Sequence, residues 1–146
     1  MIAYHNDPKV KAKYLARVAA HRRADEMVQG VGYEKNNGGV RGCAIGCTLE
    51  AYEHARYEVE LGVPQVLAHL EDRIFEGLPA KAAMAWPERF LRAVPVGADL
   101  AQVWPKFSVW LLVDPRAGAI RFARSSAAKK AIRDVAAGFR ALLAGR

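Results

Sequence analysis

The sequence contains only two cysteines and no long apolar segment. The longest apolar run without a charged residue, Phe107–Val113, has seven residues, whereas a helix that spans a bilayer needs about 20. The first residues, MIAYHNDPKVK, also lack the apolar core of a secretion signal. We therefore expect a cytoplasmic protein with reduced thiols, no structural disulfide and no contact with membranes.

Motifs typical of large enzyme classes are absent as well. We find no P-loop, no Rossmann glycine pattern, no H-E-x-x-H and no G-x-S-x-G. The sequence therefore predicts no cofactor and contains no complete catalytic motif. Its composition is typical of a globular protein, because 52% of the 146 residues are hydrophobic and 25% are charged.

Helical patterns cover most of the chain. Asp7-Pro8 is a good helix start, since an N-cap is followed by proline at the first helical position, and apolar residues recur at helical spacing from there to Gln29. Six glycines and an Asn-Asn-Gly-Gly turn signal indicate a loop or short hairpin near residues 30–46. We predict a mainly α fold, a compact single-domain bundle of five to seven helices, with residues 1–146 as one globular domain.

Two helices are predicted near the middle of the chain. The segment LEAYEHARYEVEL predicts a helix that runs to Gly62, and Pro64 opens a better-defined helix that ends at Gly77. The apolar residues of this second helix face inward. We interpret its other side as a solvated face with local ion pairs. That side carries His69, Asp72, Arg73 and Glu76.

The net charge of +7 is unevenly distributed along the chain. Residues 1–30 carry six basic against three acidic side chains, residues 31–80 carry four against eight, and residues 81–146 carry twelve against four. Two basic ends around an acidic middle suit an anionic partner, including nucleic acid, although a charged surface also serves solubility alone.

Two helix faces concentrate the positive charge. One belongs to the first predicted helix, and the other belongs to the last, which Ser125 or Ser126 caps. We predict that these faces bind an anionic partner through Lys9, Lys13, Arg17, Arg23, Lys129, Lys130, Arg133 and Arg140. They favour a non-enzymatic interaction or accessory protein that binds nucleic acid or another protein, in an oligomeric state that the sequence does not reveal.

The stretch GCAIGC holds both cysteines, Cys43 and Cys47, and its local structure decides their chemistry. If one helix runs through the whole stretch, His54 lies about 10 Å along the axis from Cys47, too far for a direct hydrogen bond. On such a helix Glu50 is the natural partner of His54, and the cysteines stand apart from it.

A helix that begins at Thr48 gives a different result. Cys47 would then lie beside free N–H groups at the helix N-terminus, which lower the pKa of a thiol. This geometry predicts a cysteine-dependent enzyme for acyl transfer, hydrolysis or deamidation, with Cys47 as nucleophile and a histidine such as His54 as base. Such an enzyme is the alternative to the interaction protein.

Packing and metal binding are two further interpretations of the cysteine stretch. Glycine and reduced cysteine are small and often buried, so the stretch suits close packing against a neighbouring segment. A metal ion bound by Cys43, Cys47 and a histidine would lack a fourth ligand at any familiar spacing. We favour packing and predict no metal.

Several separated blocks of the sequence resemble a family of small bacterial and phage-associated proteins. The blocks include GCAIGC, LEDRIFEGLP and PVGADL, and the resemblance covers most of residues 5–140. It implies an origin in a phage or mobile element. It implies no activity, and it carries over no catalytic residue.

Overall fold

The computed structural model describes residues 1–145, and the chain divides into two compact units. The first unit is Met1–Leu100, and the second begins at Ala101. Both are mainly helical, so the predicted fold class is confirmed. One globular domain over residues 1–146 stays a prediction.

The elements follow one another in chain order. The helices are α1 (Pro8–Arg23), α2 (Ala44–Leu49), α3 (Arg56–Leu61), α4 (Gln65–Gly77), α5 (Ala80–Ala93), α6 (Val103–Val113) and α7 (Ser126–Leu143). The strands are β1 (Tyr33–Asn36) and β2 (Gly39–Gly42), and short 3-10 helices occupy Ala3–Asn6 and Ala119–Phe122.

Helix α1 begins where the sequence predicts it but ends earlier. The Asp7 side chain accepts a hydrogen bond from the Lys9 N–H (2.8 Å), and Pro8 occupies the first turn. The helix ends at Arg23, whereas the apolar pattern predicts that it continues to Gln29.

The segment after α1 pairs with strand β2 instead of extending the helix. Asp25 adopts a left-handed backbone with a φ of 55°. The Val28 N–H donates to the Gly42 carbonyl (2.9 Å), and the Gly42 N–H donates to the Glu26 carbonyl (2.9 Å). These bonds to a distant strand satisfy backbone groups that a further helical turn would otherwise use.

The predicted hairpin is present as strands β1 and β2. They pair antiparallel, with Tyr33 opposite Gly42 and Asn36 opposite Gly39. The Gly38 N–H donates to the Asn36 side chain (2.8 Å), which closes the turn. Gly39 has a φ of +110°, a conformation that glycine adopts without strain.

The single helix predicted up to Gly62 is wrong, because the chain breaks after α2. Glu50 has a left-handed backbone with a φ of 54°. The Arg17 guanidinium donates to the Thr48 carbonyl (3.0 Å) and lies 3.5 Å from the Glu50 carboxylate. Arg17 therefore satisfies one of the carbonyl groups at the C-terminal end of α2. The irregular segment 51–55 follows before α3 begins.

The core of the first unit is built from aromatic and aliphatic side chains together with one stripe of α4. Tyr14, Tyr57 and Leu91 are almost completely buried. The buried stripe of α4 comprises Leu67, Ala68, Glu71, Asp72 and Phe75, which recur at helical spacing. Two of its members are acidic, so this stripe brings carboxyl groups into the interior.

The second unit pairs α6 with α7. Ser125 caps α7, one of the two predicted alternatives, because its Oγ accepts a hydrogen bond from the Ala128 N–H (3.1 Å). The Trp104 and Phe139 rings meet edge to face with their centroids 6.5 Å apart. Across residues 1–145 of both units, no helix has the length and apolar character that crossing a bilayer requires.

Candidate functional site

A group of polar side chains gathers around Asp72 in the first unit. Helix α4 supplies Asp72 and Glu76, which are one turn apart on the same face. The break after α2 supplies Tyr52 and His54 from the irregular segment, and Cys43 stands at the N-cap of α2. We call these five residues the Asp72 cluster.

Asp72 has one well-satisfied oxygen and one without a partner. Its Oδ2 accepts a hydrogen bond from the Tyr52 hydroxyl (3.1 Å) and lies 3.1 Å from the His54 Nε2. Its Oδ1 is buried and has no hydrogen-bond partner among the described residues. The sequence places this residue on a solvated face, but only 9% of its surface is exposed, so that interpretation is wrong for Asp72. The other three residues of that face are exposed, as the interpretation expects.

Cys43 lies beside the two acids of the cluster. Its Sγ, a carboxylate oxygen of Asp72 and a carboxylate oxygen of Glu76 all lie within 4.8 Å of one another. Burial, with a contribution from the nearby Asp72 carboxylate, raises the pKa of the Cys43 thiol to about 12, although the Gly46 N–H acts in the opposite direction. The thiol is therefore protonated at neutral pH.

Two cavities border the Asp72 cluster. The larger, about 490 Å³, is lined by Tyr52, His54, His69, Asp72, Arg73 and Glu76. The smaller, about 310 Å³, is lined by Gly30, Val31, Gly32, Cys43, Tyr52 and Glu76. Because Tyr52 and Glu76 line both cavities, a solute in either cavity would contact residues of the Asp72 cluster.

His54 and His69 form one wall of the larger cavity. Their rings stack with centroids 4.0 Å apart and an angle of 16° between the planes. Burial, and then the neighbouring His54, hold the pKa of His69 below its usual value. His54 contacts Asp72 and not Glu50, the partner predicted for a continuous helix. Glu50 instead pairs with Arg17.

Cys47 lies in a different environment from the one that would make it reactive. Helix α2 begins at Ala44, so Cys47 lies inside the helix and not before its first turn. Its thiol is fully buried and donates to the Gly42 carbonyl (3.3 Å). Burial, followed by Glu26, raises the pKa of Cys47 to about 12. Chemistry by Cys47 and His54 stays a prediction, and these contacts do not favour it.

The predicted basic residues of α1 and α7 differ in their contacts. On α1, Arg17 binds the end of α2, and the Lys13 ammonium lies 4.9 Å from the Tyr14 ring centroid. On α7, all four predicted residues are exposed, and Lys130 forms an ion pair with Asp134 (2.6 Å). The other three, whose side chains form no hydrogen bond or ion pair within residues 1–145, are Lys129, Arg133 and Arg140.

The division into two units also divides the charge. The first unit carries thirteen basic and thirteen acidic side chains, so its net charge is zero. The second carries nine basic and two acidic side chains and therefore holds the whole net charge of +7. The acidic residues of the first unit therefore balance the positive charge of residues 1–30, and only the second unit has a net positive charge.

Tyr52, Asp72 and Glu76 are the cluster residues that reasoning from the sequence missed. A usable signal was present for Asp72, because Ala68, Asp72 and Phe75 recur at i, i+4 and i+7. A large apolar residue at the end of this stripe indicates that the stripe faces inward.

The fold and these contacts define a mainly α protein with a buried polar cluster in one unit and a cationic helix in the other. A scan of protein-family models and searches of curated proteins and solved structures found no match to the chain.

Proposed function

We propose that the protein is a non-enzymatic interaction protein whose second unit contacts an anionic macromolecule, with nucleic acid as the partner. The basic face of α7, which we define as Lys129, Arg133 and Arg140, forms the centre of the contact surface. The observation that carries the proposal is the confinement of the whole net charge of +7 to this unit.

The second unit combines a high density of positive charge with exposed basic side chains. Affinity for nucleic acid comes largely from Lys and Arg side chains that neutralise backbone phosphates and release counterions. A net charge of +7 on a small helical unit favours that mode of binding, whereas a neutral first unit gives no comparable attraction.

Exposed aromatic rings in the same unit support this choice of partner. Phe122 is 76% exposed and Trp110 is 48% exposed. The Arg121 guanidinium lies 5.8 Å from the centroid of the Phe122 ring. Rings and guanidinium groups that face solvent together provide stacking surfaces for bases, which single-stranded nucleic acid offers without the need to unpair.

The test is a binding titration of single-stranded and duplex oligonucleotides at several salt concentrations. We expect the triple variant Lys129→Ala, Arg133→Ala, Arg140→Ala to bind about 10-fold more weakly or worse at 0.1 M salt. The slope of log K against log[salt] should fall in magnitude by about 2, because three phosphate contacts are lost.

A matched control removes the same charge from the first unit. The triple variant Lys35→Ala, Arg41→Ala, Lys81→Ala changes three exposed residues and leaves α7 intact. It should retain the affinity and the salt slope of the unmodified protein. An equal loss in both variants would mean that net charge alone drives binding, and the absence of salt-dependent binding to any oligonucleotide would point to a protein partner.

The alternative of a cysteine-dependent enzyme gains no support from these contacts. Its nucleophile, Cys47, is fully buried, and its thiol is protonated at neutral pH. The predicted contribution of the α1 face also stays a prediction, because Arg17 is already engaged within the protein.

A further inference from the structure

The Asp72 cluster contains donor atoms that converge between the two cavities. The Cys43 Sγ and one carboxylate oxygen each from Asp72 and Glu76 lie within 4.8 Å of one another. We propose that these three residues bind one divalent transition-metal ion of the zinc class. The site lies in the first unit and does not depend on the surface of α7, so a failure of either proposal leaves the other standing.

A sulfur and two carboxylate oxygens form a donor set that suits zinc. Zn²⁺ accepts sulfur, nitrogen and oxygen ligands, whereas Mg²⁺ and Ca²⁺ take oxygen ligands. With bonds of about 2.0 to 2.3 Å, the ligand atoms of a tetrahedral zinc site lie about 3.5 Å apart. The donors are no more than 4.8 Å apart, so they reach this spacing by closing about 1 Å. A rotation of the exposed Glu76 carboxylate about the oxygen that Gly30 holds can supply that movement.

Asp72 distinguishes this cluster from an ordinary group of acidic residues. The residue is about nine-tenths buried, and its Oδ1 has no hydrogen-bond partner within the described part of the chain. A buried carboxylate oxygen without a partner costs free energy, and native proteins contain few of them. A metal ion at the cluster would supply the missing partner.

The remaining oxygens of both acids are already held in place. Tyr52 and His54 contact Oδ2 of Asp72, and the Gly30 N–H donates to Oε2 of Glu76 (2.8 Å). Hydrogen bonds of this kind commonly orient carboxylates that bind metals, because they fix the direction of the free oxygen. The arrangement leaves Oδ1 of Asp72 and Oε1 of Glu76 for the ion.

Three protein ligands leave one coordination position for water or a solute. Structural zinc sites usually have four protein ligands, whereas sites with three keep the fourth position open. Both cavities reach the cluster through Tyr52 and Glu76, so the open position would be accessible from solution. The geometry therefore suits an exchangeable metal site.

The test uses the full chain after treatment with a chelator. We expect one equivalent of Zn²⁺ to bind with a Kd below about 1 μM in competition with a chromophoric chelator. Mg²⁺ should not compete, because a thiolate ligand disfavours it. Co²⁺ should bind at the same site and give a sulfur-to-metal charge-transfer absorption band, which reports thiolate ligation directly.

Variants assign the ligands. Cys43→Ser should abolish the charge-transfer band, and Asp72→Asn and Glu76→Gln should each weaken zinc binding about 100-fold or more, since even indirect supporting residues contribute 10- to 100-fold. Cys47→Ser is the matched control, because it removes the other buried thiol and should keep both the band and the affinity.

Two results would overturn the proposal. One is a protein that binds no Zn²⁺ in the presence of the competing chelator. The other is a band that survives Cys43→Ser but disappears in Cys47→Ser. Glu76→Gln keeps the test decisive if Cys43→Ser does not fold, because Glu76 is exposed and the amide oxygen of glutamine still accepts from Gly30.

Discussion

Glu71→Gln should make the protein increasingly more stable than the unmodified chain as the pH rises. The difference in free energy of unfolding should grow by about 3 kcal/mol between pH 5 and pH 8. Glu71 is fully buried, and its Oε2 accepts a hydrogen bond from the Tyr57 hydroxyl (2.7 Å). Burial raises the pKa of this carboxyl to about 8, with Asp72 adding to the rise and the Tyr57 hydrogen bond opposing it.

The sign follows from the protons bound in each state. In the unfolded chain Glu71 loses its proton near its ordinary pKa of 4.5, whereas the folded protein holds that proton up to about pH 8. The folded state therefore binds more protons across this window, and stability falls as the pH rises. Glutamine does not ionise, so the variant lacks this loss.

The measurement is urea denaturation of the metal-free protein at pH 5, 6, 7 and 8. A matched control is Glu34→Gln, which removes a carboxyl from the exposed strand β1. The control should follow the pH dependence of the unmodified protein. If Glu71→Gln also follows it, Glu71 is ionised in the folded state and our description of the buried stripe of α4 is incorrect.

Gly46→Ala is expected to lower the free energy of unfolding by about 3 kcal/mol. A Cβ at position 46 would overlap the carbonyl oxygen of Gly32. That carbonyl also accepts a hydrogen bond from the Cys43 N–H (3.0 Å), so the backbone cannot move away without losing the bond. The contact explains why the GCAIGC stretch has glycine at position 46.

Gly138→Ala is the matched control for this substitution. Gly138 lies within α7, and apart from its chain neighbours and the backbone of that helix, a Cβ there would meet no atom within 4 Å. Alanine in an open helical position should raise the stability by about 0.5 to 1 kcal/mol. Denaturation in urea measures both variants, and similar effects in the two would show that Gly46 does not pack against Gly32 as described.

The helices that could be predicted from the sequence have their start and stop signals close to them in the chain. Helix α4 follows Pro64 and ends at Gly77, and Ser125 caps α7. Local hydrogen bonds and backbone preferences determine such ends. The hairpin was predictable for the same reason, since its turn residues satisfy each other.

The break after α2 could not be read from the local pattern. It depends on Arg17, a residue of α1 that binds the Thr48 carbonyl. The break in turn brings Tyr52 and His54 to Asp72, which belongs to another helix. Contacts between segments so far apart in sequence leave no periodic signal, so the convergence of these side chains on Asp72 could not be predicted.

The different environments of the two cysteines also depend on contacts with segments that are distant in sequence. The sequence offers packing, metal binding and reactivity for the pair, and it treats both thiols alike. The structure separates them, because Cys47 is enclosed within α2 and Cys43 borders a cavity beside two carboxylates. Both are buried, as the packing interpretation predicts.

We propose that the second unit carries the binding surface for nucleic acid. Backbone amide chemical shifts, recorded while a short single-stranded oligonucleotide is titrated into the protein, test it most directly. We expect the largest shift changes in residues from Ala101 onward, centred on α7 around Lys129, Arg133 and Arg140. Shift changes centred on α1, or an unchanged spectrum in a large excess of the oligonucleotide, would contradict this proposal.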